Sequence, residues 1–189
     1  MFEELILDFY KLVIKMDKIT LGGGCFWCIE GVYNHVLGVQ SAVSGYMDGH
    51  AENPTYKEVC SGSTGHNEVV QITFEPDTID LKTILSIFWT VHDPTTLNRQ
   101  GNDVGTQYRS AIYYEDEKQL EVINQSLETA KSLWKDPIVT QIAPASTFYP
   151  AEEYHQNYYD NNPDQGYCTF IIAPKIANFK FKFSSYIKS

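Results

Sequence analysis

Apolar positions along the chain switch between a period near two and a period near 3.6, dividing it into short alternating elements. Lys18 to Leu21 reads as a strand, and Phe26 to Leu37 carries apolar residues at helical spacing. Val39, Ala42 and Val43 suggest a second strand; EVVQITF, Glu68 to Phe74, is rich enough in β-formers for a third. Asp80 can cap a helix over LKTILSIFW, after which a polar loop with Gly101 and Gly105 leads to a strand over YRSAIYY, residues 108–114. Asp116 and Gln119 predict the capped start of a long helix reaching about Trp134. The order β-α-β-β-α-β is that of a split βαβ unit.

That order predicts an α+β fold, a two-layer sandwich with a ferredoxin-like split βαβ core and helices on one face of a mixed sheet. Ahead of it, MFEELILDFYKLVIK places Phe2, Leu5, Ile6, Phe9, Leu12 and Val13 on one helical face. Glu3, Glu4 and Asp8 stand where a signal peptide would be basic, so residues 1–15 are expected to be an amphipathic segment, or an extension if Met16 is the start. Residues 16–189 are then expected to form a single domain, since 189 residues suffice for one full core.

Charge removes some partners from consideration. Fourteen basic against 24 acidic side chains give a net charge of -10, which disfavours nucleic acid and anionic membrane. No stretch is long enough to span a bilayer. Four cysteines, Cys25, Cys28, Cys60 and Cys168, are too few and too scattered for a disulfide scaffold, and point to thiols in a reducing, cytoplasmic setting.

The chemistry concentrates at LGGGCFWCIEG, residues 21–31. Three glycines allow close backbone approach to a ligand, and Cys25 falls at a strand-to-helix turn, where unpaired N–H groups and the helix dipole favour a thiolate. Phe26 and Trp27 can wall an apolar pocket or fill a core. Zinc needs two further ligands at matching spacing, and Cys60 and Cys168 are single, so no metal site is expected. A papain-like nucleophile would be followed by glycine, not Phe26. A thioredoxin-like dithiol exchanger remains open, because C-x-x-C at such a turn is its signature. A non-catalytic module binding apolar or oxidised peptides also remains open.

Three downstream stretches, PTYKEVCSGSTGHNEVV (54–70), HDPTTLNRQGNDVGTQYRSAIYY (92–114) and FYPAEEYHQNYY (148–159), join GGCFWC in one order. Together they resemble the peptide methionine sulfoxide reductases of the A type, from about Lys18 to Phe183. The resemblance implies reduction of the S-epimer of methionine sulfoxide, free or in proteins, with thioredoxin (or dithiothreitol) as reductant and no bound cofactor. It further implies Cys25 as nucleophile, Phe26 and Trp27 as a box for the substrate methyl, and Glu68 as acid. Tyr56 and Tyr108 match the tyrosines that bond the sulfoxide oxygen, and Asp103 a polar supporter. Tyr167 and Cys168, in QGYC, match the segment with a recycling cysteine; Cys28 stands where many members have glycine.

These roles suit the reaction. A sulfoxide becomes electrophilic once its oxygen is protonated, so a thiol needs an acid aimed at that oxygen, and a desolvated glutamate is acidic near neutrality. Attack leaves a sulfenic acid, which a second thiol condenses to a disulfide. Cys168 is expected to be that thiol because NNPDQG looks mobile, with Cys28, one turn from Cys25, as the alternative. Cys60 is expected to be a small buried hydrophobe, His155 and Glu153 to shape a loop beside the pocket, and the protein to act as a monomer.

Overall fold

The computed structural model describes residues 16–188, so the amphipathic segment expected over 1–15 lies outside the described residues. Strand β1 (Asp17–Gly22) is buried from Ile19 onward, on both faces: Ile19 and Leu21 enter the main core and share it with Val70, Ile72 and Phe74 of β3 (Asn67–Phe74), while Thr20, on the opposite face, is buried too. Helix α1 (Phe26–Tyr33) follows β1 and buries Ile29, Val32 and Tyr33 against the same face. It stops short of the expected Leu37 because the backbone at 35–37 pairs elsewhere. Leu37 N–H donates to Tyr186 O (2.8 Å), and Lys188 N–H to His35 O (2.9 Å).

Strand β2 (Val39–Met47) and β3 are antiparallel neighbours, with Tyr46 opposite Glu68. Helix α2 (Tyr56–Cys60) lies between them, closed by a Thr55–Glu58 capping box. Helix α3 (Leu81–Val91) starts as expected, with Asp80 accepting the Thr83 N–H (2.7 Å). A two-stranded loop, β4 (Arg99–Gln100) and β5 (Asp103–Val104), leads to a 3-10 turn at Thr106–Tyr108 and then β6 (Ala111–Tyr114). Tyr108 therefore sits on a turn, not on the expected strand. Arg109 holds it there, donating to Thr106 O (2.9 Å), Gly65 O (3.3 Å) and Asp48 Oδ2 (3.0 Å).

Helix α4 (Glu117–Lys131) is capped by Asp116, which accepts Gln119 N–H (2.9 Å), and ends before Trp134. Then come β7 (Gln141–Pro144), β8 (Tyr149–Pro150), the short α5 (Tyr158–Asn161), a π turn at Cys168–Ile172 and α6 (Ala173–Lys182). The sheet order is β7-β6-β1-β3-β2-β8, antiparallel except for the parallel β6–β7 pair. The fold is thus α+β with a mixed sheet. Helices α1, α3, α4 and α6 supply the large core, where Ile176 and Phe179 bury the tail. On the sheet's other face, Met47, Val69, Ala111 and Tyr113 pack beneath Ala143, Ala145 and Phe148.

Candidate active site

The site forms where β1 hands over to α1. Gly24 has φ +89°, a left-handed backbone that side chains resist, and a Cβ there would strike Gln100 at 2.5 Å. At Gly22 a Cβ would meet Asn67 Nδ2 at 2.3 Å. These glycines accommodate Gln100 and Asn67 of this chain, where the sequence suggested room for a ligand. The turn delivers Cys25 to the N-terminus of α1 with its side chain 8% exposed.

Glu68, at the start of β3, faces that helix end from the core side of the sheet. Phe26 N–H donates to its Oε2 at 3.2 Å, while Oε1 is buried and unpartnered within the described chain. Burial raises the Glu68 carboxyl to about 8, against the pull of the Phe26 amide. Its neutral form is therefore the prevalent one at neutral pH.

Cys25 departs from the expectation of a favoured thiolate. Burial pushes its thiol well above the ordinary value, and the charges of Glu68 and Cys28 push further, while the Trp27 amide and Tyr167 hydroxyl pull down. The reason is local. The first helical amide is taken by Glu68, so what reaches the sulfur does not outweigh desolvation. Protonating Glu68 removes its repulsion, so a neutral acid and an ionisable thiol favour one another.

Aromatic rings enclose one side. Phe26 stacks on Tyr56 (centroids 6.2 Å, 20°), and Trp27 stacks on Tyr158 (3.7 Å, 8°). His155, buried, lies 5.1 Å from Phe26, 5.5 Å from Trp27 and 4.3 Å from Tyr56. Tyr56 and Tyr108 are half-buried, and both hydroxyls are held in the neutral form by burial and then by neighbours that include Glu68. Glu152 fixes Tyr56 by accepting its backbone N–H (2.9 Å), with Tyr46 OH on its other oxygen (2.8 Å).

The other side of Cys25 is a cavity of about 630 Å³ lined by Cys28, Asp103, Tyr167, Phe170 and Lys175, among others. Tyr167 OH donates to Asp103 Oδ2 (2.8 Å), lies 3.8 Å from Cys28 Sγ and sets its ring edge-on to Trp27 (6.0 Å). Burial pushes the Cys28 thiol up; Lys175 and Tyr167 draw it down. Cys168 is fully buried at the start of the π turn, not in a mobile loop, with its thiol raised by burial and then by Cys28. Cys60 corrects a second expectation: it is exposed, close to Tyr56 and Tyr108. Among the described residues no cluster of three His, Cys, Asp or Glu could hold a metal, and no helix is long and apolar enough to cross a membrane.

The nine other residues marked by the sequence thus group with Cys25, divided between a carboxyl-aromatic side and a thiol side. Sequence reasoning missed Glu152, Tyr46, Tyr158 and Glu30. Glu30 had a signal, being a charged residue on an otherwise apolar helix, FWCIEGVY.

A protonated carboxyl beside a buried thiol, walled by aromatic rings and backed by two further thiols, defines a thiol-dependent oxidoreductase site for a small, weakly polar group. The family model for peptide methionine sulfoxide reductase matches residues 17–186, and the chain belongs to that family. It is a thiol-dependent enzyme that reduces methionine sulfoxide. It is 53% identical over 180 residues to the peptide methionine sulfoxide reductase MsrA of Polynucleobacter asymbioticus, covering 94% of each chain. It also resembles the crystal structure of reduced Mxr1 from Saccharomyces cerevisiae, with TM-score 0.76 and 37% identity over 82% of this chain and 90% of that one. The structure of Mxr1 in complex with Trx2 is a more distant match, with TM-score 0.54 and 26% identity over 75% and 84% of the two chains.

Proposed function

We propose that Cys25 attacks the sulfur of methionine S-sulfoxide while Glu68 donates a proton to its oxygen. The observation that carries this reading is the Glu68 carboxyl: dry, raised to about 8, anchored through one oxygen and unpartnered at the other. Tyr56 and Tyr108 bond the sulfoxide oxygen, and Phe26 and Trp27 hold the methyl. Asp103, through Tyr167, positions the thiol side. A bond forms between Cys25 Sγ and the substrate sulfur as the sulfoxide oxygen takes the proton from Glu68; in the collapse that S–S bond and the substrate S–O bond both break, the OH passes to Cys25 Sγ, and methionine leaves a sulfenic acid behind. The thiol proton of Cys25 replaces the one Glu68 gave, so the step needs no outside acid.

Resolution then uses the second thiol. Cys28 shares a cavity with Cys25, whereas the charge that Cys168 feels is that of Cys28. This supports a relay in which Cys28 condenses first, releasing water, and Cys168 exchanges into the disulfide. The Trx2 complex of Mxr1 supports thioredoxin as the reductant that restores both thiols. The four free cysteines agree with a cytoplasmic enzyme, and we read residues 16–189 as one monomeric catalytic domain on a ferredoxin-like split βαβ core.

The test is methionine release from each sulfoxide epimer with dithiothreitol and then thioredoxin. Turnover of the S-epimer alone is expected. Turnover of the R-epimer, or reduction of insulin-type disulfides with sulfoxide untouched, would overturn the reading. For the relay, disulfides are mapped after one equivalent of sulfoxide: Cys25–Cys28 is expected in Cys168→Ser, and a direct Cys25–Cys168 bridge in the unsubstituted chain would refute Cys28 as first acceptor.

A further inference from the structure

Glu30 is fully buried on α1 and takes no part in the chemistry above. Its two oxygens accept two successive backbone amides from a distant segment, Asn157 N–H at 2.9 Å and Tyr158 N–H at 3.2 Å. Asn157 has φ +52° and offers no side-chain cap to α5, so the carboxylate of Glu30 caps that turn from another helix. Gln156, one residue earlier, straps the same segment to β2, accepting Ser44 N–H (3.0 Å) and donating to Ser44 O (3.0 Å) and Ala151 O (3.0 Å). Between and beyond these anchors stand the rings that meet Trp27: His155 at 5.5 Å and Tyr158 at 3.7 Å.

We propose that Glu30 is a positioning residue for substrate binding: by clamping the amides of Asn157 and Tyr158 it fixes the Tyr158 ring against Trp27, so the methyl-binding wall is shaped before substrate arrives. Glu30 sits one helical turn beyond Trp27, on the same α1, so the clamp and the ring it serves are carried by one rigid element. Cys25 and Glu68 lie outside the clamp. Its loss therefore acts on binding and spares the chemical step. Glutamine at this position keeps the size but replaces one acceptor oxygen with a donor group, which faces an amide N–H and leaves it unpaired.

The inference rests on the reading of Trp27 as a wall for the substrate, and the experiment separates the two. KM and kcat for methionine sulfoxide are measured with dithiothreitol for the full chain and for E30Q, Y158A, the double variant and W27A. Burial raises the Glu30 carboxyl to about 7 against the pull of the two amides, so the kinetics are measured at pH 8, where it is ionised; a charge-assisted pair of hydrogen bonds lost at one remove from the substrate then predicts a KM raised roughly tenfold in E30Q, with kcat within about twofold of wild type. Y158A should do likewise, and the double variant should be no worse than the weaker-binding single, because both act through one ring. Unchanged KM in E30Q, or losses that multiply in the double variant, would overturn the proposal. Should E30Q not fold, Glu30→Asp, which keeps the charge but reaches one amide, must show a KM rise with kcat retained, and no rise refutes the clamp. If W27A itself binds normally, the reading of the box falls first.

Discussion

Replacing Glu68 with glutamine keeps the shape of the side chain and its bond to the Phe26 amide while removing the proton that the proposed mechanism takes from it. General acid catalysis contributes roughly 10²–10⁴-fold, so kcat should fall by about that factor. The pH dependence is more diagnostic. With the wild-type carboxyl near 8, the competent acid form thins about tenfold per pH unit above that value, and the alkaline limb so produced should be absent from E68Q. Stability shifts in step. Raising the carboxyl from 4.5 to about 8 corresponds, at about 1.36 kcal/mol per pKa unit, to at most about 5 kcal/mol. The native state binds the extra proton between those two pH values, so wild-type stability from this group is present at low pH and lost as pH rises through about 8. E68Q carries no such dependence and should gain on wild type as pH rises. Urea denaturation at pH 5, 7 and 9, with kcat/KM profiles over the same range, measures both effects. An alkaline limb retained in E68Q, with parallel stability curves, would refute the assignment of the acid.

Cys25→Ser should abolish methionine release while leaving the thermal midpoint within a few degrees, as seen by scanning fluorimetry, since a hydroxyl is a far weaker nucleophile than a thiol. Trp27→Ala should raise KM at least fourfold, the contact of one buried methyl being worth about 0.8 kcal/mol, with a further loss from the Tyr158 stack; steady-state kinetics decides it. Tyr167→Phe removes the hydroxyl between Asp103 and Cys28 and should slow disulfide formation several-fold in single-turnover thiol counting, with the amplitude of the methionine burst unchanged.

Much of the sheet was legible because its longer strands are rich in β-formers and its helices announce their starts: Asp80 and Asp116 both cap where the pattern put them. The position of Cys25 was legible too, since the glycine run marks a turn before a helix. What stayed hidden needed the third dimension. Residues 35–37 lose their helix to a C-terminal segment some 150 residues away in sequence, and nothing local records that pairing. The strands at 141–144 and 149–150 are short and border prolines, which blunts their signal. TYKE, by contrast, is a readable capping box that was passed over. The thiol's protonation also escaped, because a helix N-terminus in isolation favours thiolate and only the packed site reveals that Glu68 takes the first amide and that burial dominates. Roles of Tyr56, Tyr108 and Asp103 came from resemblance, since single tyrosines among thirteen carry little information.

The raised, covered Cys25 has a bearing on survival of the catalyst itself. The oxidants that convert methionine to its sulfoxide also attack cysteine, and they attack thiolates far faster than thiols. Three of the four cysteines are withdrawn from solvent, and Cys60 alone is exposed. Bulk oxidant faces a protonated sulfur on a residue only 8% exposed, whereas Cys60 is open to it. In the mechanism proposed above, reactivity is released when a sulfoxide oxygen enters beside Glu68 and supplies the acceptor for its proton. On the proposed mechanism, the same burial that holds Cys25 protonated at rest thus favours its oxidation in turnover over its oxidation by bulk peroxide.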